Sequence, residues 1–339
     1  MTPPAASRLR ARVLGTGHYL PPTVRTNQDI ERLVETSDAW ISERTGIRQR
    51  RLAADGVTTS EMGAFAAKAA LEMAGVDPRE IDLIVVATVT ADMPMPSAAA
   101  LVQHKIGARA CPAFDVGAAC AGFVFALTVA EQFVRSGKSR RALVVGGDTL
   151  TKFLDWTDRK TCVLFGDGAG AVLLGADRAV DAEGRARGVL STTLSTDGSL
   201  VPALHIPGGG SAHPPTADTV QKGLHYIRMN GQEIFKHAVK NLVQASRAAL
   251  QEAEMTAAGV DWVVAHQANK RILDQVAVRL ETGPGKMLSN IDRVGNTSSA
   301  SIPILLDESV RGGTIKEGDA VLMSALGAGI SWGGAVVRM

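Results

Sequence analysis

The chain is poor in aromatic residues, poor in cysteine and nearly neutral. Only 4% of its 339 residues are Phe, Trp or Tyr. Three cysteines, Cys111, Cys120 and Cys162, are too few and too scattered for a disulfide framework and fit a reducing compartment. The number is odd, so at least one thiol is free in any monomer. Lys+Arg 36 against Asp+Glu 34 leaves a charge of +2, which lends no support to a bulk nucleic-acid binder. No stretch approaches the roughly 20 apolar residues that span a bilayer. Met1–Gly15 carries Arg8, Arg10 and Arg12 but lacks the apolar run of a signal peptide. The expectation is a soluble cytoplasmic protein. Against these shortages stand a 45% hydrophobic fraction and 35 glycines, enough for a sizeable core in one large domain or two ordinary ones.

Short runs rich in β-branched residues alternate with Ala-rich periodic stretches. Ile81–Ala87, Ala142–Val145, Val163–Phe165, Ala171–Leu174, Trp262–Val264 and Val321–Met323 read as strands. Glu61–Ala74, Ala121–Arg135, Ile234–Glu254 and Arg271–Leu280 read as helices. The alternation predicts an α/β protein. Val201–Val220, with four prolines and a Gly208–Gly210 run, reads as a long surface loop.

The pattern recurs. Ala69-Ala-Leu71 precedes Asp82 by 11 residues, and Ala248-Ala-Leu250 precedes Asp261 by the same 11. Cys120 precedes Val134-Arg135 by 14, and Asn296 precedes Val310-Arg311 by the same 14. Two similar halves, 1–180 and 181–339, are therefore expected. On this count Cys120 and Asn296 occupy corresponding places, each just before a helix.

Cys120 lies in Gly117-Ala-Ala-Cys120-Ala-Gly122, where small residues permit a sharp turn and close approach of a substrate. A thiol at a helix N-terminus feels the helix dipole, which favours thiolate. The competing reading is a small buried hydrophobe. Cys111 and Cys162 lack this setting and read as structural. Among the seven histidines, His266 stands apart. Trp262-Val-Val-Ala-His266-Gln-Ala-Asn269 puts it at a strand's carboxyl end, where open α/β sheets gather their chemistry. Asn296 alone would more often be a helix cap.

Four motifs in order carry a resemblance: Gly117-Ala-Ala-Cys120-Ala-Gly, His266-Gln-Ala-Asn269, Gly295-Asn296-Thr-Ser-Ser-Ala and Gly327-Ala-Gly-Ile-Ser-Trp-Gly-Gly. Thr36-Ser-Asp-Ala-Trp-Ile-Ser-Glu-Arg44, Thr157-Asp-Arg159 and Phe165-Gly-Asp-Gly-Ala-Gly170 add to it. Together they resemble β-ketoacyl-ACP synthase III, the initiating condensing enzyme of type II fatty acid synthesis. The likeness runs from about Val13 to Met339. It implies a thiolase-like five-layered αβαβα fold of two pseudo-repeats, usually a homodimer. It implies acyl-CoA and malonyl-acyl carrier protein as partners, with no metal or redox cofactor, no nucleic acid and no membrane.

By this resemblance Cys120 accepts the acyl group, His266 and Asn296 are its partners, and the backbone N–H groups of Cys120 and Ala328 hold the oxyanion. Trp40 and Arg159 would stack around the CoA adenine, with Thr36 and Arg44 nearby. Asn269, Gly231 and Phe235 would line the pantetheine channel. Met95 and Leu150 would belong to the acyl pocket, Met95 reaching that of the partner subunit. Lys236, Lys270, Arg271 and Arg279 would meet the acidic carrier protein. Without the family, Trp40 and Arg159 read as surface packing and the basic residues as a solvated helix face. Where relatives often read Gly-Gly-Gly, this chain has Gly327-Ala328-Gly329, and a positive φ at Ala328 would be strained.

Two other functions are open to the same residues. A related acyltransferase of secondary metabolism would keep the cysteine, though Cys with His and Asn favours decarboxylative condensation. A cysteine hydrolase leaves Asn296 and Trp40 unexplained. Gly166-Asp-Gly168-Ala-Gly170 lacks dinucleotide-binding spacing, so a nicotinamide site is rejected.

Overall fold

The computed structural model describes residues 9–178, 180 and 184–339. Part of the Met1–Gly15 stretch, and residues 181–183 beside the expected boundary between halves, lie outside them.

Thirteen strands and ten helices are described. The first sheet takes β1 (Leu9–Tyr19), β4 (Leu83–Ala87), β5 (Ala113–Val116), β6 (Arg141–Asp148) and β7 (Gly168–Arg178) in the order β1-β7-β6-β4-β5. The second takes β8 (Gly188–Thr196), β11 (Trp262–Ala265), β12 (Ala320–Gly327) and β13 (Ser331–Arg338) in the order β11-β12-β13-β8. Each sheet starts parallel and turns antiparallel: β4 runs parallel to β6 and β6 antiparallel to β7, as β11 does to β12 and β12 to β13. Where β5 flanks β4, the second sheet has, among the described residues, only a parallel bridge between Val263 and Met287. Two small ribbons complete the strands, β2 (Thr23–Thr26) with β3 (Gln49–Leu52) and β9 (Leu204–His205) with β10 (Arg228–Met229).

The helices are α1 (Asn27–Glu31), α2 (Asp38–Thr45), α3 (Thr59–Ala74), α4 (Ala98–Ile106), α5 (Gly122–Arg135), α6 (Ala217–Gln221), α7 (Gly231–Glu252), α8 (Lys270–Leu280), α9 (Ile291–Val294) and α10 (Ser301–Arg311). Three hydrophobic clusters give the layers. Phe123 and Leu127 of α5 and Ile302 and Leu306 of α10 pack with Val144 of the first sheet and Met323 of the second. α3 and α4 cover the first sheet's other face through Met62, Leu71 and Val102. α7 and α8 cover the second through Leu242, Ile272 and Val276. The order is helix, sheet, helix, sheet, helix, which is the expected five-layered α/β fold.

Position explains composition. α5 lies between two sheets, and eight of its 14 residues are buried, Phe123, Val124, Ala126, Leu127 and Ala130 among them. α8 has one covered face, and only Ile272, Leu273, Val276 and Leu280 are buried. No helix among the described residues is long and apolar enough to cross a membrane.

Two readings of the sequence need correction. Val163–Phe165 is a turn: its backbone pairs with Asn296 rather than entering a sheet. Val201–Val220 includes β9 and most of α6, and its first part turns inward to line a cavity.

Candidate active site

β5 ends at Val116, and a 3-10 turn over Ala119–Ala121 leads into α5. Ala119 holds φ +46°, a left-handed conformation that costs energy in a non-glycine residue. That elbow presents Cys120, which is 6% exposed, to two cavities. One, of about 570 Å³, is largely apolar and is lined by Leu150, Phe153, Leu204, Ile206 and Ile227 among others. The other is a channel of about 120 Å³ that holds His266, Asn296, Gly231, Phe235 and Asn269. Phe165 and Leu204 border both, so the sulfur sits where the two meet. Cys111 and Cys162 border neither.

His266 follows the end of β11, with its N–H on the Ser324 carbonyl at 2.8 Å. Its Nδ1 lies 2.7 Å from Ser301 Oγ, leaving Nε2 for the channel. Burial lowers its pKa to about 4, so the ring is neutral at pH 7. A hydroxyl donates or accepts, so Ser301 accommodates either neutral tautomer. Asn296 follows Gly295, whose φ is +69°. The Asn296 N–H donates to the Leu164 carbonyl at 2.9 Å, and its carbonyl accepts from Gly166 N–H at 2.9 Å. Its Oδ1 accepts from Ser298 N–H at 2.9 Å, which turns Nδ2 away as the free donor.

The thiolate expectation is overturned for the resting site. Burial pushes the Cys120 thiol up to about 12, and the Asp148 charge adds to this against the Ser298 hydroxyl. Asp148, fully buried, accepts from Thr88 Oγ1, Thr90 Oγ1 and Val89 N–H at 2.9 Å each and from Ser299 Oγ at 2.8 Å. Desolvation outweighs the helix dipole here. At rest Cys120 is therefore a thiol, and to act as a nucleophile it would need a base.

The correspondence of Cys120 with Asn296 is also corrected. The second half has its own 3-10 turn, Ser298–Ala300, with Ser298 at φ +54°. Ala119 and Ser298 are 179 apart, as are Asp82 and Asp261. The counterpart of Cys120 is therefore Ser299, and that of Asn296 is Gly117. The 14-residue count misled because α5 has 14 residues and α10 has 11, a difference of three.

Ala328 borders the larger cavity with Cys120. A side chain on Gly327 would meet the Cys120 nitrogen at 2.6 Å, so only glycine lets this backbone approach Cys120. The positive φ falls on Gly329, at +132°, and Ala328 is spared it.

The residues expected around the nucleotide gather on α2. The guanidinium carbons of Arg44 and Arg159 both lie 5.0 Å from the Trp40 ring centre. Arg159 also donates to the Glu35 carbonyl at 2.9 Å, and the nearby Thr36 hydroxyl is buried without a partner among the described residues. Asn269 caps α8 through Oδ1 and donates Nδ2 to the Arg44 carbonyl at 3.0 Å, joining the channel to α2. Leu150 is 4% exposed in the larger cavity, whereas Met95 is 84% exposed and outside it.

The four basic residues do not form one patch. Arg271 leans over Phe235, 5.9 Å from its ring centre, near the exposed Lys236. Lys270 is paired with Asp274. Arg279 stands at the other end of α8, in a shallow groove with Lys240 and Arg247, which the sequence reading missed. It also missed Ser301, Asp148 and the Leu204–Ile206 wall. Ser301 lay just beyond the Asn296 motif and could have been caught; the others carry no local signal.

Comparison with known proteins finds relatives over nearly the whole chain. The family described as 3-oxoacyl-[acyl-carrier-protein] synthase III matches residues 114–198, and its C-terminal counterpart matches 250–339. The β-ketoacyl-[acyl-carrier-protein] synthase III of Rhodospirillum centenum is 49% identical over 97% of this chain and 99% of its own. That of Caldanaerobacter subterraneus is 45% identical over 98% of each. The crystal structure of the Aquifex aeolicus synthase III superposes with a TM-score of 0.88 at 43% identity, covering 97% of this chain and all of its own. The priming β-ketosynthase of the R1128 polyketide pathway superposes at 0.90 with 36% identity, covering 100% and 99%.

Proposed function

This chain belongs to the 3-oxoacyl-[acyl-carrier-protein] synthase III family, and from that premise we propose how its site works. It condenses an acyl-CoA primer, acetyl-CoA or a similar thioester, with malonyl-acyl carrier protein. The products are 3-ketoacyl-acyl carrier protein, CoA and CO2, as in the first step of fatty acid synthesis. The observation that carries this reading is the buried thiol between an apolar cavity and a channel holding two neutral donors, His266 and Asn296.

In the first step the primer's thioester reaches Cys120 along the channel. With Nδ1–H donated to Ser301, His266 Nε2 offers a lone pair and takes the thiol proton. The thiolate attacks, the N–H groups of Cys120 and Ala328 hold the oxyanion, and CoA leaves with the proton. The acyl chain lies in the larger cavity beside Leu150. In the second step malonyl-acyl carrier protein takes CoA's place and loses CO2. The electron pair moves onto the thioester oxygen, where Asn296 Nδ2–H and His266 Nε2–H stabilise the enolate, the ring having exchanged its Nδ1 proton for one on Nε2 through solvent between the two steps. Its carbon attacks the Cys120 thioester, and the cysteine sulfur departs as a thiolate that takes a proton from solvent to restore the resting thiol. Neutral donors suit this step, because a charged imidazolium in so dry a site would have to overcome the burial that holds His266 at about 4.

Trp40, Arg44 and Arg159 would receive the CoA adenine, and Arg271 with Lys236 the carrier protein. A homodimer completes the reading: among the described residues β5 is an edge strand bonded only to β4, and Met95 projects beyond its own cavity. The proposed substrates are soluble, so the setting is the cytoplasm, with no resident cofactor. The polyketide-priming relative marks the alternative pathway. The higher identity to fatty acid enzymes, 49% against 36%, favours the first. The test incubates the protein with acetyl-CoA and malonyl-acyl carrier protein and weighs enzyme and product. One acyl group on the protein and a 3-ketoacyl carrier protein are expected; free acid with no ketoacyl product would mean hydrolysis instead.

A further inference from the structure

Among the described residues Arg50, on β3, is the largest side chain with no exposure at all. Its Nη1 donates to the Arg25 carbonyl at 3.2 Å and Asn27 Oδ1 at 2.9 Å, and its Nη2 donates to the Val163 carbonyl at 2.7 Å. None of these acceptors is a carboxylate. Its Nε finds no acceptor among the described residues. Burial lowers its pKa to about 10, which still leaves a cation at neutral pH. Burying a charge against neutral acceptors is unfavourable, and an apolar side chain of similar volume would fill the space at lower cost. Core packing alone does not account for an arginine here.

The bond to Val163 shows what it does. The next carbonyl, Leu164, accepts the Asn296 N–H, and two residues on Gly166 donates to the Asn296 carbonyl. The backbone of Asn296 is thus clamped on both sides by the segment Arg50 grips. The fit is close: side chains on Gly166 and Gly295 would come within 3.2 and 3.1 Å of the Arg50 Cβ. Cys120 hangs on β5 and α5, and no Arg50 bond reaches either.

We propose that Arg50 is a positioning residue for Asn296, bracing residues 163–166 so that the Asn296 amide meets the malonyl thioester oxygen. The proposal rests on the reading of Asn296 as an enolate donor. It separates the two half-reactions: acyl transfer to Cys120 does not need the brace, and decarboxylation does.

The test measures both half-reactions in Arg50→Met and Arg50→Lys, using acetyl-CoA and intact mass for the first and CO2 release from malonyl-acyl carrier protein for the second. Acylation should stay within about threefold of wild type, while CO2 release falls at least about tenfold with KM little changed; lysine, able to reach one carbonyl, should recover part of the loss. In an Asn296→Ala background, Arg50→Met should add no further loss. Equal losses in both half-reactions, or additive losses in the double variant, would overturn the proposal. If Arg50→Met does not fold, Arg50→Lys must show the same split, and wild-type rates in both steps would overturn it. Unchanged CO2 release in Asn296→Ala alone would overturn the Asn296 assignment, and the brace with it.

Discussion

The same elbow is built twice and used differently. In the first half a 3-10 turn with Ala119 at φ +46° turns Cys120 toward two cavities. In the second, the matching turn with Ser298 at φ +54° turns Ser299 inward, where its single hydroxyl proton lies within reach of Asp148 Oδ2 at 2.8 Å and the Ala87 carbonyl at 2.9 Å. Ala87 itself corresponds to His266, again 179 residues apart. Each half therefore carries, at the place matching a proposed catalytic residue of the other, a different side chain: serine for cysteine, alanine for histidine. Duplication supplies the geometry, and divergence at a few positions decides which copy faces substrate.

The comparison breaks most sharply at the nucleophile. Cys120→Ala should abolish acylation by acetyl-CoA, a loss of at least about 10⁴ in turnover, while Cys162→Ala keeps the label. In Ser299→Cys the label should stay on Cys120 and residue 299 should remain unmodified, because that position faces Asp148 and not a cavity. Intact mass with peptide mapping reads all three, and a label on residue 299 would show that the elbow alone makes the nucleophile. Next in size is Asn296→Ala. Removing one enolate donor costs about 3–4 kcal/mol of barrier, so CO2 release should fall by about 10²–10³ while acylation persists. Equal loss in both steps would refute the division of labour between halves.

His266 and Ala87 differ in what they ask of folding. The folded pKa of His266, about 4, lies below the usual 6.5. Between those values the unfolded chain binds a proton that the folded one does not, so stability falls as pH drops through that window. The loss approaches about 3 kcal/mol near pH 4. Denaturant titrations of wild type and His266→Ala from pH 7 to 4 should show a shallower fall in the variant. Parallel curves would mean that the ring is not held neutral by burial. Ser299→Ala is smaller still: it strips Asp148 of a buried donor, and about 1–3 kcal/mol of stability should be lost with acylation retained.

Much of this was legible in the sequence. The alternating runs gave α/β architecture, and the 11-residue matches around Asp82 and Asp261 gave the true repeat offset. The 14-residue match failed because helix length differs between halves, and counting from a helix end carries that difference back to its start. Val163–Phe165 looked like a strand because strand and buried loop share apolar composition; only the partner, Asn296, tells them apart. The Cys120 elbow was visible in its small neighbours, but its pKa was not. That depends on Asp148 and on depth, and neither is local in sequence.

The smallest expected effect separates the outer helices of the second half. Arg271 leans on Phe235 at the channel, whereas Arg279 lies at the far end of α8 with Lys240 and Arg247. Both are exposed, so either charge acts through water and is screened beyond about 10 Å at 0.1 M salt. A carrier protein that delivers its arm into the channel must sit over Phe235, within reach of Arg271 and Lys236. Arg271→Glu should raise KM for malonyl-acyl carrier protein several-fold, with less effect on KM for acetyl-CoA and a loss that shrinks as salt rises. Arg279→Glu should change it less. If Arg279→Glu has the larger effect, the carrier protein docks over the α7–α8 groove instead, and its arm must approach the channel along the length of α8.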